Sequence, residues 1–174
     1  LAQTREIAAL MPLLAPDAVC VSGDLTQRAR HGEFQAALAF LERLGAVAPT
    51  ITLPGNHDVQ WWASPFHLFG TERLYVKYRR WFGRELARTL ERPGVMVCTA
   101  LTSHGVAAGS MTWNLNDMAV KGHLPRSEVY RVSQIFENAP ADLARVLVLH
   151  QNVLRGKISQ RMGLSRWKTA QERL

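Results

Sequence analysis

Apolar residues recur along this chain at two spacings, and the switches between them divide it into elements. Ile7, Leu10, Met11 and Leu14 return every three or four positions, which predicts a helix over Thr4–Leu14. Ala18 to Ser22 is a short apolar run and reads as a buried strand. Phe34, Ala37, Leu38, Leu41 and Leu44 share one face of a helix over Glu33–Leu44, with Gly45 placed to cap it. Thr50–Leu53 is a second buried strand. Helix, strand, helix, strand implies parallel pairing through a right-handed crossover, and hence an α/β fold. Leu74, Tyr78, Phe82, Leu86 and Leu90 recur every four residues and predict one long helix over Thr71–Leu90, closed by Pro93-Gly94. Val95–Leu101 is a strand. Pro125 opens a helix that buries Val129, Val132, Ile135 and Phe136, and Arg145–Leu149 is the last strand. Between them Thr102–Lys121 is rich in Gly, Ser, Asn and Met and reads as a loop over the site opening. With no repeats or linkers, residues 1–174 form one domain.

Polar chemistry collects where strands stop. The first strand ends in Gly23-Asp24, the second in Pro54-Gly55-Asn56-His57-Asp58, and the last in His150. Each motif alone is an ordinary turn, since Gly-Asp and Gly-Asn pairs are common there. Three buried strands that all deliver a metal-competent side chain are harder to ascribe to turn chemistry. Open α/β sheets also place their sites at the carboxyl ends of strands. Trp61 and Trp62 follow closely, positioned to stack on a base, to wall a pocket or to fill the core under a loop. His104 comes shortly after a strand end, where it could approach a substrate. His67 sits in an apolar segment, and His123 is read as a helix-entry residue, so neither is taken as a ligand.

Composition narrows the class further. The chain has 174 residues, 47% of them hydrophobic, enough for one globular core. The formal charge of +7 suits a phosphate-bearing small substrate, with nucleic acid a less favoured partner because the cations are spread over helix faces. Arg73, Lys77, Arg80, Arg84 and Arg88 fall near one another on the long helix, as a solvated face or an anion-binding one. Cys20 and Cys98 lie in apolar runs and read as buried free thiols, which places the chain in a reducing cytoplasm. No run approaches the roughly 18 apolar residues of a membrane span.

The wording Val21-Ser22-Gly23-Asp24-Leu25-Thr26 and Leu53-Pro54-Gly55-Asn56-His57-Asp58-Val59, followed by a strand closing in His150, resembles the calcineurin-like metallophosphoesterase superfamily. Within it the chain looks most like bacterial phosphohydrolases of the class III cyclic-nucleotide phosphodiesterase type. The resemblance implies a layered α/β/β/α sandwich of two mixed sheets flanked by helices, incomplete here. It implies two divalent metal ions, manganese, iron or zinc, and hydrolysis of a phosphodiester or phosphomonoester by a metal-bound hydroxide. Asp24 would bridge the ions, Asn56 and His150 would bind the second, His57 would contact the phosphoryl group or protonate the leaving group, and Asp58 would orient His57. The substrate expected is a small phosphate ester such as a cyclic nucleotide. Two alternatives stand beside it: a nuclease of the same superfamily and a non-catalytic scaffold with the same fold. Gln151 stands where relatives often carry a second His. The family's Asp-x-His and Gly-His-x-His motifs are not in the sequence. The chain therefore reads as an internal fragment, inactive in isolation, of a longer hydrolase.

Overall fold

A computed structural model of the chain describes residues 2–64, 68, 71–105, 120–154, 164, 168 and 172. Two sheets carry the site. Helix α1 (Ala2–Leu14) leads into strand β1 (Val19–Val21), and α2 (His31–Gly45) crosses over to β2 (Thr50–Thr52). β1 and β2 pair in parallel, Val19 with Thr50, Cys20 with Ile51 and Val21 with Thr52. In this register the two strands finish level, so Gly23-Asp24 and Gly55-Asn56 emerge side by side.

The second sheet has the order β3-β4-β5, from β3 (Thr89–Arg92), β4 (Val95–Thr99) and β5 (Ala144–Val148). β3 and β4 are antiparallel, while β4 and β5 run parallel across α4 (Arg126–Asn138). This sheet is mixed, as the resemblance implies; the first, among the described residues, is a purely parallel pair. The architecture is α/β with two sheets and flanking helices, consistent with the calcineurin-like fold.

The expected helix over Thr71–Leu90 is broken into three pieces. A 3-10 turn (Glu72–Tyr75) runs into a short α3 (Val76–Phe82), which stops at Gly83 with φ +96°. That left-handed backbone favours glycine and ends the helix. Leu86 stays buried, but from an irregular segment, and Leu90 belongs to β3, where the backbone pairs with β4. A period of four is satisfied by burial on one side of a bent path as well as by a helix. The break also dissolves the expected cationic face. Lys77 Nζ donates to the Ala29 carbonyl at 3.0 Å, and Arg88 Nε donates to the Glu85 carbonyl at 3.3 Å. These two cations therefore tie down backbone.

One core cluster lies under the site turns. Ala29 and Val59, each a few residues past a site motif, pack with Phe34, Tyr78, Phe82 and Leu86. The rings of Tyr78 and Phe82 meet edge to face at 4.8 Å. A second cluster, around Cys98, Ala100 and Val132, joins β4 and α4. Cys98 is buried as expected, whereas Cys20 is exposed on β1. Cys20 pairs with Ile51 on one edge only, and β1 has no second ladder partner among the described residues. The apolar stripe of α1 is also largely exposed at Ile7, Leu10 and Leu14.

Candidate functional site

The two glycine turns fit together so closely that neither admits a side chain. A Cβ on Gly55 would lie 2.2 Å from both the Asp24 backbone nitrogen and Asp24 Oδ1. A Cβ on Gly23 would lie 2.5 Å from the Gly55 nitrogen and 3.0 Å from His150 Nδ1. Gly23 has φ +99°, and Asp24 itself sits at φ +54°. A non-glycine residue in the left-handed region is uncommon, and such backbones concentrate where a side chain must be aimed. Here the conformation turns the Asp24 carboxylate over the second loop, where Oδ1 accepts the His57 backbone N–H at 3.0 Å.

β5 brings the third group. Its pairing with β4 reaches Thr99 against Val148, and the next turn carries His150 across to the first sheet. His150 Nδ1 lies 2.7 Å from the Ser22 carbonyl. A carbonyl only accepts, so Nδ1 carries the proton and, in the neutral ring, Nε2 presents its lone pair. Nε2 is 2.9 Å from Asn56 Oδ1 and 3.4 Å from Asp24 Oδ1. An imidazole nitrogen, an amide oxygen and a carboxylate oxygen thus converge, three acceptors with no donor among them when the ring is neutral. Two donors held by one cation at about 2.0–2.2 Å sit about 3.0–3.5 Å apart. The spacing and the donor set both fit a divalent cation of the manganese, iron or zinc kind. A backbone carbonyl behind a ligating imidazole is also the usual support of such a ligand.

His57 is placed differently. Its ring is exposed, with Nδ1 2.8 Å from the Gln27 carbonyl. That contact puts a proton on Nδ1 and leaves Nε2 open toward anything bound beside the turn.

The hydrogen bonds of Asp58 run to Leu25, Thr26 and Gly55 and not to the His57 ring. Its carboxylate is fully buried, and its partners are on the first loop. Oδ1 accepts from the Thr26 N–H at 2.8 Å and the Thr26 hydroxyl at 2.9 Å; Oδ2 accepts from the Gly55 N–H at 2.9 Å and the Leu25 N–H at 3.2 Å. Burial holds its pKa above the ordinary carboxylate value, and the donors from Gly55, Thr26 and Leu25 offset only part of the rise. Asp58 therefore staples the two turns together, and the Gln27 carbonyl contacts the His57 ring. Thr26, which also accepts the Ala29 N–H at 3.2 Å, extends the staple to the start of the core. Its position two residues after Asp24 is the one sign of this that the sequence carries. The Ser22 and Gln27 carbonyls leave no sign, because backbone acceptors are common to every residue.

The remaining candidates lie apart from this cluster. His104 Nε2 is 3.0 Å from the Leu101 carbonyl and Nδ1 is 3.1 Å from the Tyr75 hydroxyl, so both its nitrogens are engaged. His123 lies three residues before α4, and its backbone N–H donates to the Thr102 carbonyl at 2.9 Å. Gln151 is buried and grips the same segment, its Oε1 accepting from the Thr102 and Ser103 hydroxyls. It is a structural clamp behind His150. His67 and residues 106–119 fall outside the described residues. Trp61 and Trp62, in a 3-10 turn just after the Asn-His-Asp motif, are exposed and do not fill the core. Among the described residues no group of three or more His, Cys, Asp or Glu side chains gathers that could hold a metal; the convergence above depends on the amide of Asn56. None of the described helices is long and apolar enough to cross a membrane.

A search of the curated proteins found no match to the chain. A family model, calcineurin-like phosphoesterase, matches residues 2–162, nearly the whole length and every residue of the converging cluster. The chain therefore belongs to the calcineurin-like phosphoesterases, a family of metal-dependent phosphoester hydrolases.

Proposed function

We propose that the full-length protein to which this chain belongs hydrolyses a phosphodiester or phosphomonoester at a binuclear metal site, in the manner of the class III cyclic-nucleotide phosphodiesterases that its motifs resemble. The observation that supports this most directly is the meeting of His150 Nε2, Asn56 Oδ1 and Asp24 Oδ1, with the His150 proton drawn to the Ser22 carbonyl. Asp24, Asn56 and His150 would hold divalent metal, and Asp24 would serve both ions as the resemblance implies. Such ions neutralise the phosphate's charge and acidify a water for attack on phosphorus. The chain's own contribution is positional. The glycine turns bring a carboxylate and an amide within reach of one imidazole, and Asp58 holds the turns in that relation. His57, with Nδ1 tied to the Gln27 carbonyl, presents Nε2 to a phosphoryl or leaving-group oxygen, where it would act as the proton donor. The expected substrate is a small phosphodiester such as a cyclic nucleotide, met in the cytoplasm. The nuclease reading rests on the +7 charge alone, and Lys77 and Arg88 are already engaged with backbone carbonyls.

The test separates ligands from proton donor. In the full-length protein, metal content is measured by atomic absorption, and turnover with manganese is measured against a generic aryl phosphodiester. Asp24→Ala should lose most of the metal and, with it, turnover. His57→Ala should retain the metal and lose roughly a hundredfold or more in kcat, the size of a general-acid contribution. Equal metal loss in both variants would overturn this division of roles. Hydrolysis that survives complete chelation would overturn the metal reading altogether.

A further inference from the structure

Two exposed indoles follow the Asn-His-Asp turn, in a 3-10 turn that the end of segment 101–105 backs onto. Trp61 and Trp62 keep 41% and 51% of their surface exposed. Tryptophan is highly buried on average, and an exposed adjacent pair has to be accounted for. Their backbone, by contrast, is held firmly. The Gln60 N–H donates to the Leu74 carbonyl at 3.0 Å, the Ala63 N–H donates to the Gln60 carbonyl at 2.9 Å, and Val59 is buried just before them. A Cβ on Gly105 would lie 2.9 Å from Trp61 Cβ, so the strand-end segment 101–105 backs directly onto this turn. The rings meet edge to face, with centroids 5.9 Å apart and an interplanar angle of 82°, which leaves ring faces open. Neither indole N–H has a hydrogen-bond partner among the described residues.

Position supplies the rest. Trp61 is four residues from His57, at most about 14 Å along the chain, and it opens the 3-10 turn that follows the Asn-His-Asp motif. A flat ring attached to a phosphate beside His57 therefore falls within reach of an indole face. Stacking of that kind accepts any base, because every base has a π-face.

We propose that Trp61 and Trp62 form a stacking platform that selects phosphate esters carrying a flat aromatic group, a nucleobase in particular, over esters of aliphatic alcohols. This rests on the hydrolase reading above and adds the specificity to it. The experiment compares kcat/KM for a nucleoside phosphodiester and for a glycerol phosphodiester, in the manganese-loaded protein and in Trp61→Ala, Trp62→Ala and Trp62→Phe. Base stacking on one aromatic side chain corresponds to about a 5- to 150-fold change in affinity. The nucleoside-to-glycerol ratio should fall by that order in either alanine variant, mainly through KM, and Trp62→Phe should restore much of it. Adenosine monophosphate added with manganese should quench indole emission in the wild type, and the quench should shrink in the double alanine variant. If both esters are hydrolysed but the ratio does not move, the platform is wrong and the hydrolase reading stands. If the full-length wild type hydrolyses neither ester, the hydrolase reading fails. The platform then survives only if adenosine monophosphate still quenches the wild type and not the double variant.

Discussion

Asp58 holds together a site it does not directly serve. Three backbone N–H groups and one hydroxyl converge on its two oxygens. Asp58→Asn replaces one oxygen with an NH2, and either orientation of the amide faces that group toward a backbone N–H. A buried donor left without an acceptor costs about 1–3 kcal/mol. Urea unfolding should show a loss of that size for Asp58→Asn. An acid–base role would instead leave stability untouched and change only the pH profile of turnover. The same reasoning applies more severely to Gly55. Its added methyl would overlap Asp24 backbone, which cannot swing aside as a flexible side chain can. Gly55→Ala should cost more than the 1–3 kcal/mol or so typical of an overpacked core, and the loss should appear in the thermal midpoint.

At the scale of elements, α1 and α2 differ sharply in what their apolar residues do. Leu44 on α2 is 1% exposed, whereas Leu13 on α1 is 81% exposed. Leu44→Ala should destabilise by about 2–5 kcal/mol, while Leu13→Gln should stay within about 0.5 kcal/mol; chemical denaturation of the two variants checks both. Sequence periodicity cannot make that distinction, because it reports a face without reporting what lies against it. It served well where a strand is flanked by breakers, as with β1, β2 and β5. It failed over Thr71–Leu90, where Leu86 and Leu90 kept the helical period after the backbone had left the helix at Gly83. Gly83 was the legible warning, a residue suited to ending a helix inside an apparently unbroken stripe. The site was legible for a related reason. Asp24, Asn56 and His150 each stand just past an apolar run, so their shared location followed once the strands were placed side by side. The bonds Asp58 makes were not legible, because most of its partners are backbone N–H groups, which no residue type marks.

At the scale of the whole molecule, the same three side chains bring the two sheets together at one point. Asp24 and Asn56 come from the ends of β1 and β2, and His150 comes from the end of β5 in the other sheet. A cation held by all three would cross-link the two sheets at a point where the described contacts are otherwise an imidazole hydrogen bond to Ser22 and its approach to Asn56 and Asp24. Binding that favours the folded chain adds RT ln(1 + [L]/Kd), about 2.7 kcal/mol at a hundred times Kd. Manganese should therefore raise the midpoint of thermal unfolding in a concentration-dependent way, and a chelator should reverse it. His150→Ala should abolish most of the shift, since the remaining Asp24 and Asn56 lie in one sheet and their ion would no longer link two. His57→Ala should leave the shift intact, because its ring is engaged with the Gln27 carbonyl and lies outside the converging set. A manganese shift unchanged in His150→Ala would mean that the ion binds elsewhere.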